Sequence, residues 1–110
     1  MATRQLTREQ VTLRDVTENG VVTVAIDGEL DVTVVPALYG YLAQLAQRRP
    51  RLIVFELSGV TFMDCAAARA ITGAGRTLPD RPRPTLHHPR AIVRRVLSVT
   101  GLDARSVCSP

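Results

Sequence analysis

The feature that most constrains this chain is an apolar segment that leads, through a short turn, to an acid at the start of a small-residue stretch. Residues 51–57 are almost continuously apolar, which is typical of a strand buried on both faces of a sheet. A turn is predicted over residues 58–63, and a helix follows Asp64 from about Cys65 to Arg76. This arrangement predicts an α/β fold with Cys65 exposed at a helix N-terminus, where free backbone N–H groups favour negative charge.

A β-hairpin is predicted ahead of this unit. Val11–Val16 alternates apolar and polar residues, and Val21–Ile26 is rich in β-branched side chains. Between them, Asn19-Gly20 is a pair that tolerates the positive φ angles of a tight hairpin turn. The two segments are therefore expected to pair as antiparallel strands.

The rest of the chain contains two more helical segments and two short strands. One helix is predicted from near Pro36 to Arg49, with either Asp31 or Thr33 as its cap, and the other over residues 90–100. The order is β-β-α-β-α-β-α-β, which predicts a mixed sheet with an N-terminal hairpin and helices packed on the sheet. The remaining predictions are short strands at residues 85–88 and 105–108 and inward-facing side chains at Ile92, Val93, Val96 and Leu97.

Length and composition fit one small domain. The 110 residues, of which 45% are hydrophobic, suit a single modest core. We assign residues 1–8 to an N-terminal arm and residues 9–110 to the domain. No apolar run approaches the roughly 20 residues of a membrane helix, and the N-terminus has no hydrophobic signal core. The chain is therefore expected in the cytoplasm, without membrane insertion.

Composition also argues against several classes of function. The fourteen basic residues, all Arg, are spread along the chain and aromatic residues make up only 4%, so nucleic-acid binding is not predicted. The two cysteines and the adjacent pair His87-His88 lack the spacing of a metal site, and no cofactor is predicted. No Ser-His-Asp or Cys-His signature is present, so we do not expect an enzyme. These arguments favour a protein that acts by binding.

Three short motifs, in this order, carry a family resemblance. They are Gly28-Glu29-Leu30-Asp31, Phe62-Met63-Asp64 and the segment from Arg90 to Leu102. From about residue 9 to the C-terminus, the chain resembles the STAS domain of the anti-sigma factor antagonist (anti-anti-sigma factor) family. The resemblance implies a STAS-like mixed sheet. It also implies a bacterial regulator of transcription that binds an anti-sigma factor, often a serine kinase, and so releases a sigma factor.

The resemblance implies roles for individual residues. Asp31 matches the acid beside the family's phosphorylation switch, Asp64 matches the acid of the turn, and Cys65 matches the Ser or Thr that the kinase phosphorylates. The family pattern resembles Asp-Ser-Ser-Gly, whereas Ala66 and Ala67 follow Cys65 here. Because a serine kinase cannot use a thiol, binding is expected to survive without the phosphorylation switch. The predicted partner-binding residues are Asp31, Thr33, Asp64, Cys65 and Ala66.

Other possibilities stay open at this point. The same surface could serve a STAS subunit that binds a transporter ATPase. Cys65 could act as a thiol redox sensor, because a helix N-terminus activates thiols, although the like charge of Asp64 opposes this. A small substitute for Ser without chemistry is the simpler interpretation of Cys65. The family commonly has one more helix after the last predicted strand, whereas this sequence stops at Pro110, near the end of that strand, so that the helix is either dispensable or cut off. Without its cover, exposed apolar surface and a homodimer are expected.

Overall fold

In the computed structural model, the described residues (3–8, 10–100 and 107–109, with side chains from 10 to 100) form one six-stranded sheet and three α-helices. The strands lie across the sheet in sequence order. The first two pairs of neighbours are antiparallel and the other three are parallel. The bounds are β1 Thr3–Arg8, β2 Val11–Glu18, β3 Val21–Leu30, α1 Val35–Gln47, β4 Leu52–Met63, α2 Cys65–Thr72, β5 Thr85–His87, α3 Ala91–Val99 and β6 Val107–Ser109.

The predicted fold class and element order are confirmed, with one strand more than the sequence predicts. β1 pairs antiparallel with β2 at the edge of the sheet, in a stretch that the sequence assigns to an arm. Thr3–Arg8 contains a single apolar residue, Leu6, so it carries no period that would indicate a strand. Its pairing depends on the backbone groups that the edge of β2 offers. The domain boundary at residue 9 stays a prediction.

The hairpin turn forms as its two residues predict. Asn19 has a φ of 53° and Gly20 a φ of 78°, and Glu18 pairs with Val21 across the turn. Two consecutive positive φ angles define the turn type whose twist matches that of the flanking strands. The hairpin therefore fixes the register of β2 against β3, which places the far end of β3 at Leu30.

One hydrophobic cluster joins buried residues of all three helices to residues on one face of β2, β3, β4 and β5. β4 contributes Ile53, Phe55 and Leu57 to this cluster, so Glu56 lies on the opposite face of the sheet. Val54 is also buried on that opposite face. β4 is an interior strand with parallel neighbours on both sides, and the burial of Val54 beside Ile53 and Phe55 accounts for the apolar run at its start.

β4 continues through the predicted turn at residues 58–63, so that prediction is wrong. Ser58-Gly59 has the composition of a turn, but a Cβ at Gly59 would lie 1.8 Å from Asp27 Oδ1 in the neighbouring strand. Glycine therefore accommodates a close neighbour within an extended strand and does not mark a change of direction. The strand extends to Met63 and so positions Asp64 at the edge of the sheet.

Two helices differ from the prediction in detail. α2 ends at Thr72 and not at Arg76, because Gly73 occupies its C-cap. α3 buries Val93 and Leu97, whereas Ile92, predicted to face inward, is 53% exposed. Positions four apart share a helix face, and Ile92 lies about 100° around the helix from Val93. Within the described residues, no helix combines the length and apolar content needed to cross a bilayer.

A buried ionic network that the sequence pattern does not predict joins β2 to α1. Asp15 is fully buried, and its carboxylate accepts hydrogen bonds from Tyr41 Oη and, at 2.7 Å, from Arg48 Nη1. Arg48 Nη1 also donates to Thr17 Oγ1 at 3.0 Å. A buried carboxylate is tolerated because its charge is paired and hydrogen-bonded. The network fixes α1 on the sheet and so helps to position the loop that precedes α1.

Candidate functional site

The ends of β3 and β4 bring two acidic loops to one edge of the sheet. Leu30 and Met63 are register partners at the carboxyl ends of these parallel strands, and Asp31 and Asp64 follow them directly. The backbone N–H of Asp64 donates a hydrogen bond to the carbonyl of Leu30 over 2.8 Å. Asp31 and Asp64 therefore begin two loops that the backbone joins to each other.

The side chain of Asp31 stabilises the first loop, residues 31–34. The Asp31 carboxylate accepts hydrogen bonds from the backbone N–H of Thr33, at 3.0 Å, and from the Thr33 hydroxyl. It thereby caps a single 3₁₀ turn at Val32–Val34 that leads into α1, whose own N-cap Val34 makes no side-chain hydrogen bond. Of the two caps that the sequence leaves open, Asp31 is thus the acceptor and Thr33 its donor. Val34 is buried and anchors the loop, while Thr33 is exposed.

The second loop is the start of α2. Asp64 Oδ1 accepts a hydrogen bond from the backbone N–H of Ala66 at 2.7 Å, so Asp64 is the side-chain cap of this helix. Cys65 occupies the first helical position and is exposed, whereas Ala66 is half-buried. Ala67 and Ala68 are fully packed into the core. The small side chains therefore let α2 approach the sheet while its first residue stays accessible.

Two exposed apolar residues lie beside these acids. Val32, between Asp31 and Thr33, is 61% exposed, and Phe62, two residues before Asp64, is 43% exposed. We call residues 31–33 and 62–66 the paired-loop edge. Neither Val32 nor Phe62 is among the partner-binding residues that the sequence predicts, although Phe62 belongs to the Phe62-Met63-Asp64 motif of the resemblance. Their exposure follows from the strand bounds, which only the structure shows.

The charge of this edge is opposite to that of the whole chain. The chain has a formal net charge of +4, but Asp31 and Asp64 are carboxylates and Glu29, one position before Leu30, is an exposed third. Phe62 is the register partner of Glu29, so apolar and acidic groups are adjacent. The paired-loop edge therefore suits a partner surface that carries both basic and apolar groups.

The model of the STAS domain family matches residues 12–108. This chain belongs to the STAS domain family. Comparison with curated proteins gave no significant match.

Solved structures have the same fold as this STAS domain. An anti-sigma factor antagonist from Mycobacterium paratuberculosis has a TM-score of 0.81 at 24% identity, over 96% of this chain and 91% of that chain. The anti-sigma factor antagonist SpoIIAA in its unphosphorylated form has a TM-score of 0.72 at 20% identity, over 99% and 89%. The Bacillus cell fate determinant SpoIIAA in its phosphorylated form has a TM-score of 0.64 at 20% identity, over 99% and 92%.

The STAS domain brings the five predicted site residues together in two adjoining loops. Asp31 and Thr33 are hydrogen-bonded to each other, and Asp64 is bonded to Ala66 and, through the backbone, to the residue before Asp31. Cys65 is exposed, as its position at a helix start predicts. The contact of these residues with a partner stays a prediction.

A second cluster of polar side chains lies on the sheet face opposite to the core. His88 Nδ1 lies 2.9 Å from Glu56 Oε2, and the backbone N–H of Ser58 donates to Glu56 Oε1 at 3.1 Å. Burial raises the pKa of Glu56, but the hydrogen bonds from His88 and Ser58 outweigh it, so that the pKa lies below its ordinary value. His87 belongs to the same group, since one ligand atom from each of Glu56, His87 and His88 lies within 4.8 Å of the other two.

Proposed function

We propose that this STAS domain is an anti-sigma factor antagonist of the cytoplasm. It binds a kinase-type anti-sigma factor through the paired-loop edge and so releases a sigma factor, by binding and not by turnover. The observation that carries this proposal is the hydrogen bond from Asp64 N–H to the Leu30 carbonyl, which joins two exposed loops into one surface. The fold that it has in common with solved anti-sigma factor antagonists supports the same role.

The paired-loop edge is preorganised for docking. Asp31 and Asp64 each hold their own loop through a side-chain hydrogen bond to the backbone, so neither loop needs to be ordered when a partner binds. Little conformational entropy is then lost on association. The exposed side chains of Val32 and Phe62 supply apolar area, and the carboxylates supply charge that steers and orients the partner.

The proposed antagonist lacks a phosphorylation switch at its usual place. SpoIIAA is described in an unphosphorylated and a phosphorylated form, and both have the fold of this domain. At the start of α2, this domain exposes Cys65, which has a thiol and no hydroxyl, followed by Ala66. The proposal is therefore a binder that a serine kinase partner does not inactivate at this position.

Incubation with a kinase-type anti-sigma factor from the same genome and ATP tests this proposal. The wild-type domain is expected to form a complex that persists in the presence of ATP, with position 65 unmodified by mass spectrometry. The physical reason is that phosphoryl transfer needs a hydroxyl oxygen, which Cys65 does not supply. Gel filtration measures the complex, and mass spectrometry measures the modification.

Cys65→Ser is the matched variant, because it changes one exposed atom at the same helix start. It is expected to bind as wild type without ATP and, if the kinase accepts Ala66 after the acceptor, to gain one phosphate and leave the complex. Absence of a complex between the wild-type domain and any kinase-type anti-sigma factor of the genome would contradict the proposal. Binding to a transporter ATPase instead would assign the same edge to the other partner class.

A further inference from the structure

We propose that Glu56, His87 and His88 form a binding site for a divalent transition-metal cation of the zinc type. One nitrogen or oxygen atom from each of the three side chains lies within 4.8 Å of the other two. Imidazole nitrogens and a carboxylate oxygen are the donors that such cations take in proteins. The sequence shows two adjacent histidines without ligand spacing, so the third donor is visible only in the folded chain.

The fold gathers the three side chains on one face of the sheet. Glu56 on β4 and His87 on β5 are register partners in a parallel pair, so their side chains point to the same side. In a continuing strand, the next residue, His88, would point to the other side. His88 instead has a φ of 56°, and its ring returns to the side of Glu56, with ring centroids 5.6 Å apart between the two histidines.

Hydrogen bonds already orient the Glu56 carboxylate toward the histidines. Ser58 N–H donates to Glu56 Oε1, which leaves Oε2 directed at His88 Nδ1, 2.9 Å away. Arg90 Nε in turn donates to the Ser58 carbonyl at 2.8 Å and supports this part of the strand. Four donors around a tetrahedral zinc ion stand roughly 3.4 Å apart, so small side-chain rotations bring the three groups to a common ion. Hydrogen bonds to a ligand side chain, such as the one from Ser58 N–H to Glu56, orient metal ligands.

The cluster is accessible and separate from the paired-loop edge. The side chains of His88 and Glu56 are 56% and 30% exposed, so an ion reaches them from solvent. Three protein donors leave one tetrahedral position for water or for a group from another molecule. Glu56 precedes Asp64 by eight positions on an extended strand, a separation of roughly 25 Å at the usual rise per residue. The metal site therefore stands independently of the proposed function.

Calorimetric titration of the metal-free domain with ZnCl₂ tests the site. Wild type is expected to bind one equivalent, and Glu56→Gln, His87→Gln and His88→Asn are each expected to weaken binding by at least about tenfold. Gln at position 56 keeps an oxygen that accepts from Ser58 N–H, and Asn at position 88 tolerates the positive φ. The variants are thus expected to unfold thermally at the temperature of the metal-free wild type.

Glu18→Gln, at the hairpin, and Cys65→Ser are the control variants and are expected to bind zinc as wild type. Because the chain has two histidines, the imidazole NMR spectrum of the wild-type domain reports on this site alone and keeps the test decisive if a variant unfolds. Zinc is expected to shift both ring signals. No saturable binding, unshifted ring signals, or loss of binding in Cys65→Ser with retention in the three ligand variants would overturn the proposal.

Discussion

Asp15→Ala is expected to lower the free energy of unfolding by about 3–5 kcal/mol, the range for a buried ion pair that loses one partner. Asp15 is fully buried on β2, and its loss leaves Tyr41 and Arg48 of the α1 segment without their shared acceptor. The Arg48 side chain is 24% exposed, so part of its charge is rehydrated and the lower end of the range is expected. Urea unfolding followed by circular dichroism measures the change.

Asp27→Ala is the matched control for Asp15→Ala. Asp27 also carries a carboxylate paired with an Arg, but the two side chains are 55% and 57% exposed and 3.4 Å apart. An exposed pair of this kind contributes about 0–1 kcal/mol. A double-mutant cycle with Arg48→Ala then isolates the coupling between Asp15 and Arg48. Equal losses of stability in the two Asp variants would show that the buried network does not stabilise the fold.

Asp31→Lys is expected to weaken binding to a kinase-type anti-sigma factor at least about a hundredfold, or about 2.7 kcal/mol. The substitution reverses the charge that, in our proposal, faces basic groups of the partner, and it also removes the cap of the 3₁₀ turn. Asp31→Asn separates these effects, because Asn keeps a side-chain oxygen for Thr33 N–H and loses only the charge. It is expected to weaken binding about tenfold. Calorimetric titration measures both.

Glu18→Lys is the charge-matched control for Asp31→Lys. Glu18 is exposed beside the hairpin turn, and β3 runs from its register partner Val21 to Leu30, which places Glu18 roughly 30 Å from Asp31. The control makes the same change of net charge and is expected to bind as wild type. If Glu18→Lys and Asp31→Lys weaken binding equally, long-range charge and not contact at the paired-loop edge governs association.

The parts of the fold that the sequence predicts well have strong local signals. Asn19-Gly20 defines a hairpin turn by itself, and the apolar run of residues 51–57 identifies an interior strand, although on the face opposite to the core only Val54 is buried. The parts that it misses depend on contacts between distant segments. Gly59 is indistinguishable from a turn glycine in the sequence, because the Asp27 side chain that it accommodates lies on another strand. Thr3–Arg8 becomes a strand only because β2 offers an edge.

Some residues of the candidate sites can also be predicted from the sequence, whereas others come together only in the folded chain. Asp31 and Asp64 are visible in the sequence because capping acids and a family resemblance mark them, and the register of β3 with β4 brings them to one edge. The alternation of β2 places Asp15 on the same face as the buried residues Val11 and Leu13. It does not show which side chains of α1 pair with Asp15. The Glu56 cluster has no local signal in the sequence. Sheet register brings Glu56 beside His87, and the positive φ of His88 turns its ring to the same side.

The claim that the paired-loop edge is the docking surface is tested most directly by mapping backbone amide shifts in the isotope-labelled domain on addition of a kinase-type anti-sigma factor. We expect the largest changes in residues 31–33 and 62–66, together with unchanged signals from Asn19 and Gly20 at the opposite end of the sheet. Large changes confined to α3 or to the hairpin, with residues 31–33 and 62–66 unaffected, would contradict the claim.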